Sequence, residues 1–489
     1  MKLIDILFKF QNKDKNFLED LSISGLACDS RKVLPGNVFF AIKGEKFDGI
    51  DFCRHAEKKG AKAIIIDFND IKKIKEIGLT VPVIQVENVR HELSFAASKW
   101  FKLQPKEIIA VTGTNGKTSV ANFLKQIWDG IGISCASIGT LGVEGFLGHH
   151  YEMTTPDPIS LHKCLSDMRK GGINNVVLEA SSHGLLQSRL ENTNITYRAF
   201  TNLSRDHLDY HISLDNYFLA KAKLFSKSSS FRGPALINVD HYYGRLMKLV
   251  AENNGLRVIT VGKLRGCDFC LENQVLQSNG QLISVSYANR TYKAYLKLIG
   301  AFQGQNVLMA AALAIMAGSS PRDVFATLSN LTAAKGRLDM VKEMKSGAKI
   351  FVDYAHSPEA LKQVLLALKP HTSGSLNLVF GAGGERDKGK REVMGKVANM
   401  YADKIFITDD NPRNELPEDI RNDIKRGCPK GIDIPDRAEA IFKAISDLEV
   451  GDNLVVAGKG HETGQIIGNI NYPFDDAEQV SMTVEILEK

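Results

Sequence analysis

One short segment constrains the fold of this chain more than any other. Glu107 to Val111 is a strand-like apolar run that leads into a glycine-bearing turn at 112–116. A helical pattern begins near Thr118. A strand, a turn and a helix N-terminus direct backbone N–H groups and the helix dipole at one point, which favours a bound anion. The segment therefore predicts an α/β domain with a phosphate site.

The side chains of this loop favour a nucleoside triphosphate and a divalent metal ion. Lys117 adds a positive charge for the β- and γ-phosphates, and Thr118 offers a hydroxyl group to Mg²⁺. Val111 stands where the strict Walker motif has glycine, so the loop is a variant. The alternative, a glycine turn with a solvated lysine, does not account for the strand and helix on either side.

Two enzyme classes compete on the evidence of the loop alone. A GTPase should carry an Asn-Lys-x-Asp motif downstream of the loop, but the only Asn-Lys-Asp, at 12–14, lies upstream. Small-molecule kinases stay open as an alternative at this point.

Candidate ligands for the metal follow the loop. Glu179 ends an apolar strand-like run, where a carboxylate would hold Mg²⁺. His207 lies in a run at 202–211 that is dense in polar groups, and Lys221 follows shortly afterwards. Taken alone, Glu179 would be a solvated strand-end residue, His207 a structural histidine and Lys221 a solvated helix lysine.

The length of 489 residues and two breaks in the pattern predict three domains. A helical pattern ends near Gln104 and Pro105, and Lys335-Gly336-Arg337 follows an alanine-rich, helix-forming segment. The predicted domains are 1–104, 105–335 and 336–489.

The last of these domains repeats one arrangement. Each of its strand-like runs leads directly into a loop rich in glycine or charge; the runs are Leu376 to Phe380, Lys404 to Thr408 and Asn453 to Ala457. In open α/β sheets, ligands bind in the crevice beyond the carboxyl ends of the strands. The loops therefore predict one composite binding site.

Composition narrows the range of partners. The net charge is only +6 and no segment has a dense basic stripe, so no nucleic-acid partner is predicted. No apolar run approaches the roughly 18 residues that span a bilayer, so no membrane partner is predicted. Seven cysteines in a chain of this length do not make a disulfide scaffold, which is typical of a cytoplasmic protein.

Several motifs, taken in chain order, resemble those of the Mur ligases, which build peptidoglycan precursors. They are T-G-T-N-G-K-T at 112–118, E-A-S-S-H-G-L at 179–185, T-N-L-S-R-D-H-L-D-Y-H at 201–211, G-R-L-D at 336–339, D-Y-A-H-S-P at 353–358, G-G-E-R-D-K-G-K-R at 383–391, D-N-P-R at 410–413 and A-G-K-G-H-E at 457–462. Each motif alone is weak, but their joint order is specific and covers nearly the whole chain.

The resemblance implies an α/β fold of three domains: a UDP-binding N-terminal domain, a central P-loop ATPase-like domain and a C-terminal Rossmann-like domain. The combination of motifs is similar to that of the members that add meso-diaminopimelate to UDP-N-acetylmuramoyl-L-alanyl-D-glutamate. In that reaction the D-glutamyl carboxylate attacks the γ-phosphate of ATP, and the amine of diaminopimelate then displaces phosphate from the acyl phosphate. We expect a cytoplasmic monomer that uses ATP and Mg²⁺.

The resemblance also implies roles for individual residues at the nucleotide. ATP is expected to contact Gly113, Thr114, Asn115, Gly116, Lys117, Thr118, Ser119, Asn306, Arg337, Asp353 and His356. The expected catalytic residues are Lys117, Glu179, His207 and Lys221. The expected ligands of Mg²⁺ are Thr118, Glu179, His207 and Lys221, the last as a carbamate that converts a cation into an anionic oxygen ligand.

The remaining motif residues are expected to bind the other two substrates. The UDP-muramoyl-dipeptide is expected at Ser30, Glu45, Lys46, Phe47, Thr154, Thr155, Ser181, Gln187 and Arg189. Diaminopimelate is expected at Arg391, Asp410, Asn411, Pro412, Arg413, Gly458 and Glu462.

Specificity is expected to depend on Arg413. Diaminopimelate has a second carboxylate that a guanidinium can bind with two parallel, charge-assisted hydrogen bonds, and lysine has none there. One departure from the family lies elsewhere: Gln303 replaces an asparagine that often contacts adenine, whereas Asn306 is retained. The alternative for Asn306 is a helix N-cap.

Two alternatives to this ligase fit the motifs less well. A folylpolyglutamate synthase or another Mur enzyme would fit the loop, but the Asp-Asn-Pro-Arg loop at 410–413 argues against it. A non-catalytic nucleotide-binding regulator would be expected to have lost Lys117, Glu179, His207 or Lys221, and all are present.

Overall fold

The computed structural model describes residues 1–8, 20–44, 47–149, 151, 153–206, 208–226, 231 and 233–488. The chain packs as two compact units, the first of Met1–Lys117 with Gly132–Thr260 and the second of Thr118–Ile131 with Val261–Lys489. In the part of the chain that the structure describes, no helix has both the length and the hydropathy needed to cross a membrane.

The first unit begins with a parallel sheet that is covered on both faces. Its elements are β1 (Gly25–Ala27), β2 (Asn37–Phe40), α1 (Cys53–Lys58), β3 (Ala63–Asp67), α2 (Ile71–Ile77), β4 (Val83–Val86) and α3 (Val89–Phe101). The strands lie in the order β1-β2-β3-β4. Phe39 and Ile64 pack on the face of α1 and α2, and Phe40 and Ile65 pack on the face of α3. Because both faces of the sheet are buried, the sequences of its strands are mainly apolar.

A second sheet begins with the strand that carries the predicted phosphate loop. In chain order, the elements that follow are β5 (Glu107–Thr112), α4 (Lys117–Gly130), β6 (Cys135–Gly139), β7 (Gly142–Glu144), α5 (Pro158–Lys170), β8 (Asn175–Glu179), α6 (Ser182–Leu186), β9 (Tyr197–Phe200), α7 (Leu208–His211), α8 (Leu214–Ala222), β10 (Ala235–Asn238), α9 (Tyr242–Asn253) and β11 (Val258–Gly262). Within the first unit the strands lie in the order β10-β9-β5-β8-β6-β7. All are parallel except β7.

The register of this sheet brings three strand ends to one edge. Val111 pairs with Glu179, and Thr112 pairs with Phe200. The phosphate loop, the carboxyl end of β8 and the polar run after β9 therefore start from neighbouring positions. The strand, loop and helix predicted from 107 to 128 are confirmed.

The second unit contains an antiparallel meander and an alanine-rich helix. Its elements here are β12 (Phe269–Gln277), β13 (Gly280–Tyr287), β14 (Arg290–Leu296), α10 (Ala301–Met316) and α11 (Pro321–Thr327). Helix α10 is buried continuously from Asn306 to Ala314 and packs on β12 and β13. The alanines are strong helix formers, and their small side chains allow this close packing.

A Rossmann-like sheet completes the second unit. Its elements are β15 (Asp339–Glu343), β16 (Lys349–Asp353), α12 (Pro358–Leu368), β17 (Leu376–Phe380), α13 (Gly389–Tyr401), β18 (Lys404–Ile407), α14 (Pro417–Gly427), β19 (Ile432–Asp433), α15 (Arg437–Ser446), β20 (Asn453–Ala457) and α16 (Asp476–Leu487), with a hairpin of β21 (Gly464–Ile467) and β22 (Ile470–Pro473). The sheet order is β15-β16-β20-β17-β18-β19, and only β15 is antiparallel to its neighbour.

This topology confirms the three strands that predicted a composite site. β20, β17 and β18 are adjacent and parallel, so the loops that follow them lie at the same edge of the sheet. Every position of β17 and β20 is buried, which explains their mainly apolar sequence; the polar residues Asn377 and Asn453 are buried as well.

A buried ion pair joins the last two helices of this unit. Arg437 and Asp476 are both 0% exposed in their side chains. The guanidinium donates two hydrogen bonds of 2.7 Å to the carboxylate and one of 3.1 Å to Ala457 O at the end of β20. The pair therefore anchors α15 and α16 to the edge of the sheet from which the predicted site begins.

We predict that Asp476→Asn destabilises the second unit. The substitution leaves a buried guanidinium charge without its counter-charge, which costs about 3–5 kcal/mol. Urea denaturation followed by circular dichroism measures the change. The control is Asp447→Asn, which removes an exposed pair with Lys443 and should cost less than about 1 kcal/mol. An equal decrease in the free energy of unfolding of the two variants would contradict the role of the buried pair.

Candidate active site

The phosphate loop requires glycine for reasons of both backbone geometry and space. Gly113 has a φ of +153° and Gly116 a φ of +85°, values that other residues rarely adopt. A Cβ atom on Gly113 would lie 1.9 Å from the hydroxyl oxygen of Thr201. The loop is therefore closed against the segment that follows β9.

Hydrogen bonds hold the loop to that segment. The backbone N–H of Thr114 donates to Asn202 O at 2.9 Å, and that of Asn115 donates to Asn202 Oδ1 at 3.0 Å. The Thr201 hydroxyl donates to Asn115 O at 2.6 Å. Because these bonds order the loop in advance, a ligand has less conformational entropy to remove.

Two lysines converge on one backbone oxygen of the loop. Lys117 Nζ and Lys221 Nζ donate to Gly113 O at 3.0 Å and 2.7 Å. Lys117 also donates to Thr114 O at 2.8 Å. Thr118 and Ser119, the other predicted ATP residues here, lie in the first turn of α4. The side-chain nitrogens of Lys117 and Lys221 thus lie at the loop where a phosphate group is expected.

Lys221 is buried, which excludes the alternative of a solvated helix lysine. It is 1% exposed and its ammonium lies 4.3 Å from the centre of the Tyr217 ring. Burial lowers the pKa of Lys221 well below its usual value, and the positive charge of Lys117 lowers it further, against the opposing effect of Asp206. The environment thus favours the neutral amine.

Glu179 is also buried, so the alternative of a solvated strand-end residue is wrong. It is 2% exposed, and its two carboxylate oxygens accept hydrogen bonds from Thr140 N at 2.8 Å and from the Thr140 hydroxyl at 3.1 Å. A Cβ atom on Gly139 would lie 2.2 Å from Glu179 Oε1, so glycine makes room for the carboxylate. His207 lies outside the described residues.

The residues predicted to bind the dipeptide form one hydrogen-bonded chain beside Glu179. The Thr154 and Thr140 hydroxyls are 3.1 Å apart, and the Thr155 hydroxyl donates to Glu179 O at 2.8 Å and lies 3.0 Å from the Ser181 hydroxyl. Arg189 donates to Thr155 O at 2.6 Å and to Gln187 Oε1 at 2.7 Å. The structure therefore brings these predicted residues together.

The guanidinium of Arg189 has neutral hydrogen-bond acceptors. Among the described residues of the first unit, no carboxylate forms an ion pair with it, and its hydrogen bonds go to Thr155 O, Gln187 Oε1 and Met153 Sδ. Burial lowers the pKa of Arg189. A partly buried guanidinium with neutral partners is a suitable site for an anionic ligand.

The residues predicted at the uridine end lie in the N-terminal sheet region. Ser30 is 5% exposed, and its hydroxyl lies 3.1 Å from His55 Nδ1. Phe47 is 70% exposed and its carbonyl accepts a hydrogen bond from Gly44 N at 2.8 Å. Glu45 and Lys46 lie outside the described residues. A uridine contact at these positions stays a prediction.

The predicted nucleotide residues of the second unit surround the end of β16. Asp353 accepts hydrogen bonds from Leu338 N at 2.6 Å and Ala355 N at 2.8 Å, and burial raises its pKa to about 6 although Arg337 opposes this. The Arg337 guanidinium lies 4.4 Å from the centre of the Tyr354 ring. His356 is exposed, and its Nδ1 lies 2.8 Å from Tyr354 O.

Asn306 lies inside α10, so the N-cap alternative is wrong. The N-cap of this helix is Gly300. The Asn306 side-chain amide donates to Gln303 Oε1 at 3.1 Å, and both residues are buried. Gln303 and Asn306 therefore form a local pair, while contact with adenine stays a prediction.

The loops after β18 and β20 meet in a buried polar cluster. Asn411 donates to Glu462 Oε2 at 3.0 Å, and a Cβ atom on Gly458 would lie 2.7 Å from Asp410 Oδ2. Gly458 has a φ of +119°. Burial, followed by the charge of Asp410, raises the pKa of Glu462. The structure thus brings Asp410, Asn411, Gly458 and Glu462 together as predicted.

Arg413 is held in a backbone conformation that is unusual for arginine. Its φ is +53°, and its N–H and C=O pair with Ile466 O at 3.1 Å and Gly468 N at 2.8 Å in the hairpin. Its guanidinium donates to Gly384 O at 2.8 Å. No described carboxylate of the second unit forms an ion pair with it. Strained, over-determined residues of this kind are concentrated at ligand sites.

Arg391 differs from the other predicted amino-acid residues. It is 1% exposed, and its guanidinium pairs with Glu415 at 2.9 Å and Asp423 at 3.1 Å. Its charge is therefore compensated inside the protein. A direct contact between Arg391 and diaminopimelate stays a prediction.

The sequence did not single out several residues that organise these clusters. Thr140 binds both oxygens of Glu179, Lys459 lies between Asp410 and Glu462, and Gln465 donates to Asp410 O at 2.8 Å. Lys459 lies within a motif that was recognised, so its position in A-G-K-G-H-E was an available signal. Thr140 and Gln465 had no such signal.

Together these features define a class of protein. A strand-loop-helix phosphate site with a buried carboxylate on the adjacent strand is typical of enzymes that use nucleoside triphosphates. A second α/β sheet with a polar cluster at its carboxyl edge adds a site for a small polar ligand.

The comparison with known families places the chain within that class. Residues 22–100 match the catalytic domain of the Mur ligase family, residues 111–314 the Mur ligase middle domain and residues 336–460 the Mur ligase glutamate ligase domain. The chain belongs to the Mur ligase family. The α/β fold class and the family resemblance expected from the motifs are confirmed.

Similar proteins have a consistent name. A protein of Bradyrhizobium diazoefficiens is 46% identical over 465 residues, and one of Mesorhizobium japonicum is 43% identical over 462; each alignment covers 94% of both chains. Both are called UDP-N-acetylmuramoyl-L-alanyl-D-glutamate–2,6-diaminopimelate ligase.

Solved structures are similar over the whole chain. A structure of a ligase with that same name has a TM-score of 0.72 and 32% identity, covering 100% of this chain and 99% of its own. MurF ligase from Thermotoga maritima in complex with ADP has a TM-score of 0.63 and 21% identity, covering 96% and 99%. The second likeness concerns the fold alone.

We predict that Gly113→Ala weakens nucleotide binding at least about tenfold, because the new Cβ would displace Thr201 and open the loop. Titration calorimetry with ADP measures the dissociation constant. Gly132→Ala is the control, since Gly132 also has a positive φ of +77° but its Cβ would meet nothing within 4 Å. It should lose about 1 kcal/mol of stability and keep its affinity. Equal affinities in the two variants would contradict the steric argument.

Proposed function

We propose that this chain is an ATP-dependent amide ligase that adds meso-diaminopimelate to the D-glutamyl residue of UDP-N-acetylmuramoyl-L-alanyl-D-glutamate. The convergence of Lys117 and Lys221 on the carbonyl of Gly113 carries the proposal, because it places at a phosphate loop both the ammonium of Lys117 and a buried lysine whose lowered pKa favours reaction of its amine with CO2. The names of relatives that are 42–46% identical support the choice of substrates.

The first chemical step is phosphoryl transfer. An oxygen of the D-glutamyl carboxylate attacks the γ-phosphorus of ATP, the bond to the β-phosphate oxygen breaks, and ADP leaves. Such a step needs positioning and charge neutralisation rather than a protein nucleophile. We assign the positioning to the loop that follows β5 and the charge neutralisation to the ammonium of Lys117.

The side chains near the loop fit Mg²⁺ only if Lys221 is modified. The Glu179 carboxylate is fixed by Thr140, and oxygen ligands are those that Mg²⁺ prefers. Thr118 and His207 complete the proposed set. An unmodified lysine at 221 offers no oxygen ligand, and its ammonium form would repel the ion, whereas its carbamate would offer an anionic oxygen. When bound, Mg²⁺ neutralises charge on the phosphates.

The second step forms the amide. The neutral amine of diaminopimelate attacks the acyl carbon, phosphate leaves as the C–O bond breaks, and the amine loses a proton. We propose that Asp410 and Glu462 accept hydrogen bonds from ammonium groups of the amino acid. Arg413 is the candidate partner of its distal carboxylate.

The UDP-muramoyl-dipeptide is proposed to bind along the hydrogen-bonded polar residues beside Glu179 in the first unit. Thr154, Thr155, Ser181 and Gln187 offer hydroxyl and amide groups, and Arg189 offers a charge for a carboxylate. Ser30 and the 45–47 segment are proposed to meet the uridine end. We further propose a cytoplasmic monomer with small-molecule substrates and no nucleic-acid or membrane partner.

Amino-acid competition tests the specificity assigned to Arg413. With equal concentrations of meso-diaminopimelate and L-lysine, we expect the wild-type enzyme to incorporate diaminopimelate at least about tenfold faster, since lysine would leave the guanidinium without a carboxylate. Mass spectrometry of the products measures the ratio. Arg413→Gln should lower the preference, whereas Arg386→Gln, on an exposed arginine nearby, should not. Faster incorporation of lysine by the wild type would refute the proposed specificity.

Removal of Lys221 tests the proposed carbamate. Lys221→Ala should reduce phosphate release at least about a hundredfold, because an anionic ligand of the metal is lost. Bicarbonate should partly restore activity by entering the space left by the side chain. The control is Lys223→Ala, which alters an exposed lysine on the same segment and should keep its activity. Full activity of Lys221→Ala without bicarbonate would argue against the carbamate.

A further inference from the structure

Lys459 is a fully buried cation that none of the proposed steps uses. It follows β20 and is 0% exposed. Its ammonium donates to Asn411 Oδ1 at 2.9 Å and to Gly464 O at 2.8 Å. It also lies 3.7 Å from Asp410 Oδ1 and 3.8 Å from Glu462 Oε2. All four partners belong to segments around the polar cluster of the second unit.

The contacts of Lys459 join two segments. Asp410 and Asn411 follow β18, whereas Glu462 and Gly464 lie between the end of β20 and the start of β21, in the same stretch as Lys459 itself. The ammonium of Lys459 therefore fixes the loop after β20 against the loop after β18.

The orientation of Asn411 depends on this ammonium. Asn411 Oδ1 accepts from Lys459 Nζ and from Ile466 N, each at 2.9 Å, which leaves its amide nitrogen to donate to Glu462 Oε2 at 3.0 Å. Ile466 O in turn accepts from Arg413 N at 3.1 Å. The network thus extends from Lys459 to Glu462 and to Arg413, two residues of the proposed amino-acid site.

Lys459 also balances charge within the cluster. Asp410 is 6% exposed, and its charge raises the pKa of Glu462 after the larger effect of burial. The nearby positive charge of Lys459 acts in the opposite direction. It therefore favours the carboxylate form of Glu462, which binds an ammonium group better than a protonated carboxyl group does.

We propose that Lys459 is a positioning residue for the amino-acid substrate, which holds Asp410, Asn411 and Glu462 in the arrangement that binds the ammonium groups of diaminopimelate. It does not touch the substrate itself, because it is completely covered. This inference rests on the proposed function, in which those residues bind the amino acid.

The test compares Lys459→Met with a matched buried lysine. Lys349 is 9% exposed, lies at the amino end of β16 and donates to Ser278 O and Asn279 Oδ1. The KM values for meso-diaminopimelate, ATP and the nucleotide precursor are measured by phosphate release from the full-length enzyme with Mg²⁺. Thermal unfolding measures the loss of stability in both variants.

We expect Lys459→Met to raise the KM for meso-diaminopimelate at least about tenfold, with the other two KM values changed less than about twofold. Lys349→Met should lose comparable stability and keep all three KM values. An unchanged KM for diaminopimelate in folded Lys459→Met, or an equal rise for ATP, would overturn the inference.

Two further outcomes are decisive. If Lys459→Met does not fold, Lys459→Gln replaces it, because it keeps a hydrogen-bonding side chain but removes the charge; a raised KM for diaminopimelate supports the positioning role, and an unchanged KM overturns it. If the wild-type enzyme releases no phosphate in response to diaminopimelate, the proposed function itself fails, and this inference fails with it.

Discussion

The carbonyl oxygen of Gly113 accepts hydrogen bonds from two lysines, and the phosphate site depends on this arrangement. The positive φ of Gly113 turns its carbonyl toward them, and Thr201 leaves no space for a larger residue. Lys117 and Lys221 are then close enough for the charge of one to lower the pKa of the other. Because burial and the charge of Lys117 both disfavour the ammonium form of Lys221, a carbamate on that amine would remove the repulsion, and a phosphate group would compensate the charge of Lys117.

In the second unit, the charges that need compensation are negative rather than positive. Its polar cluster contains the carboxylates of Asp410 and Glu462, which need compensation before an amino acid arrives. Lys459 provides that compensation from below the surface, while Arg413 keeps its guanidinium without an ion-pair partner among the described residues of this unit. The cluster thus offers the carboxylates of Asp410 and Glu462 at one position and the guanidinium of Arg413 at another. This separation suits a ligand that carries both an amine and a carboxylate.

Much of the fold and part of the site could be predicted from the sequence. Strands β5, β17 and β20 are mainly apolar because both faces of their sheets are covered, and glycine or charge marks where each ends. Burial of a single polar residue could not be predicted, since Lys221 and Lys459 look like any solvated lysine until the fold encloses them. Nor could the positive φ of Arg413, because long-range pairing with the hairpin imposes it.

Transfer of labelled oxygen from the substrate to phosphate tests the central claim most directly. The precursor is prepared with ¹⁸O in its D-glutamyl carboxylate and incubated with the enzyme, ATP, Mg²⁺ and meso-diaminopimelate. Attack of that carboxylate on ATP predicts that each phosphate released carries one oxygen from it, in step with formation of the amide. Release of unlabelled phosphate would contradict the account, because it would mean that water, rather than the substrate carboxylate, attacks the nucleotide bound at the Gly113 loop.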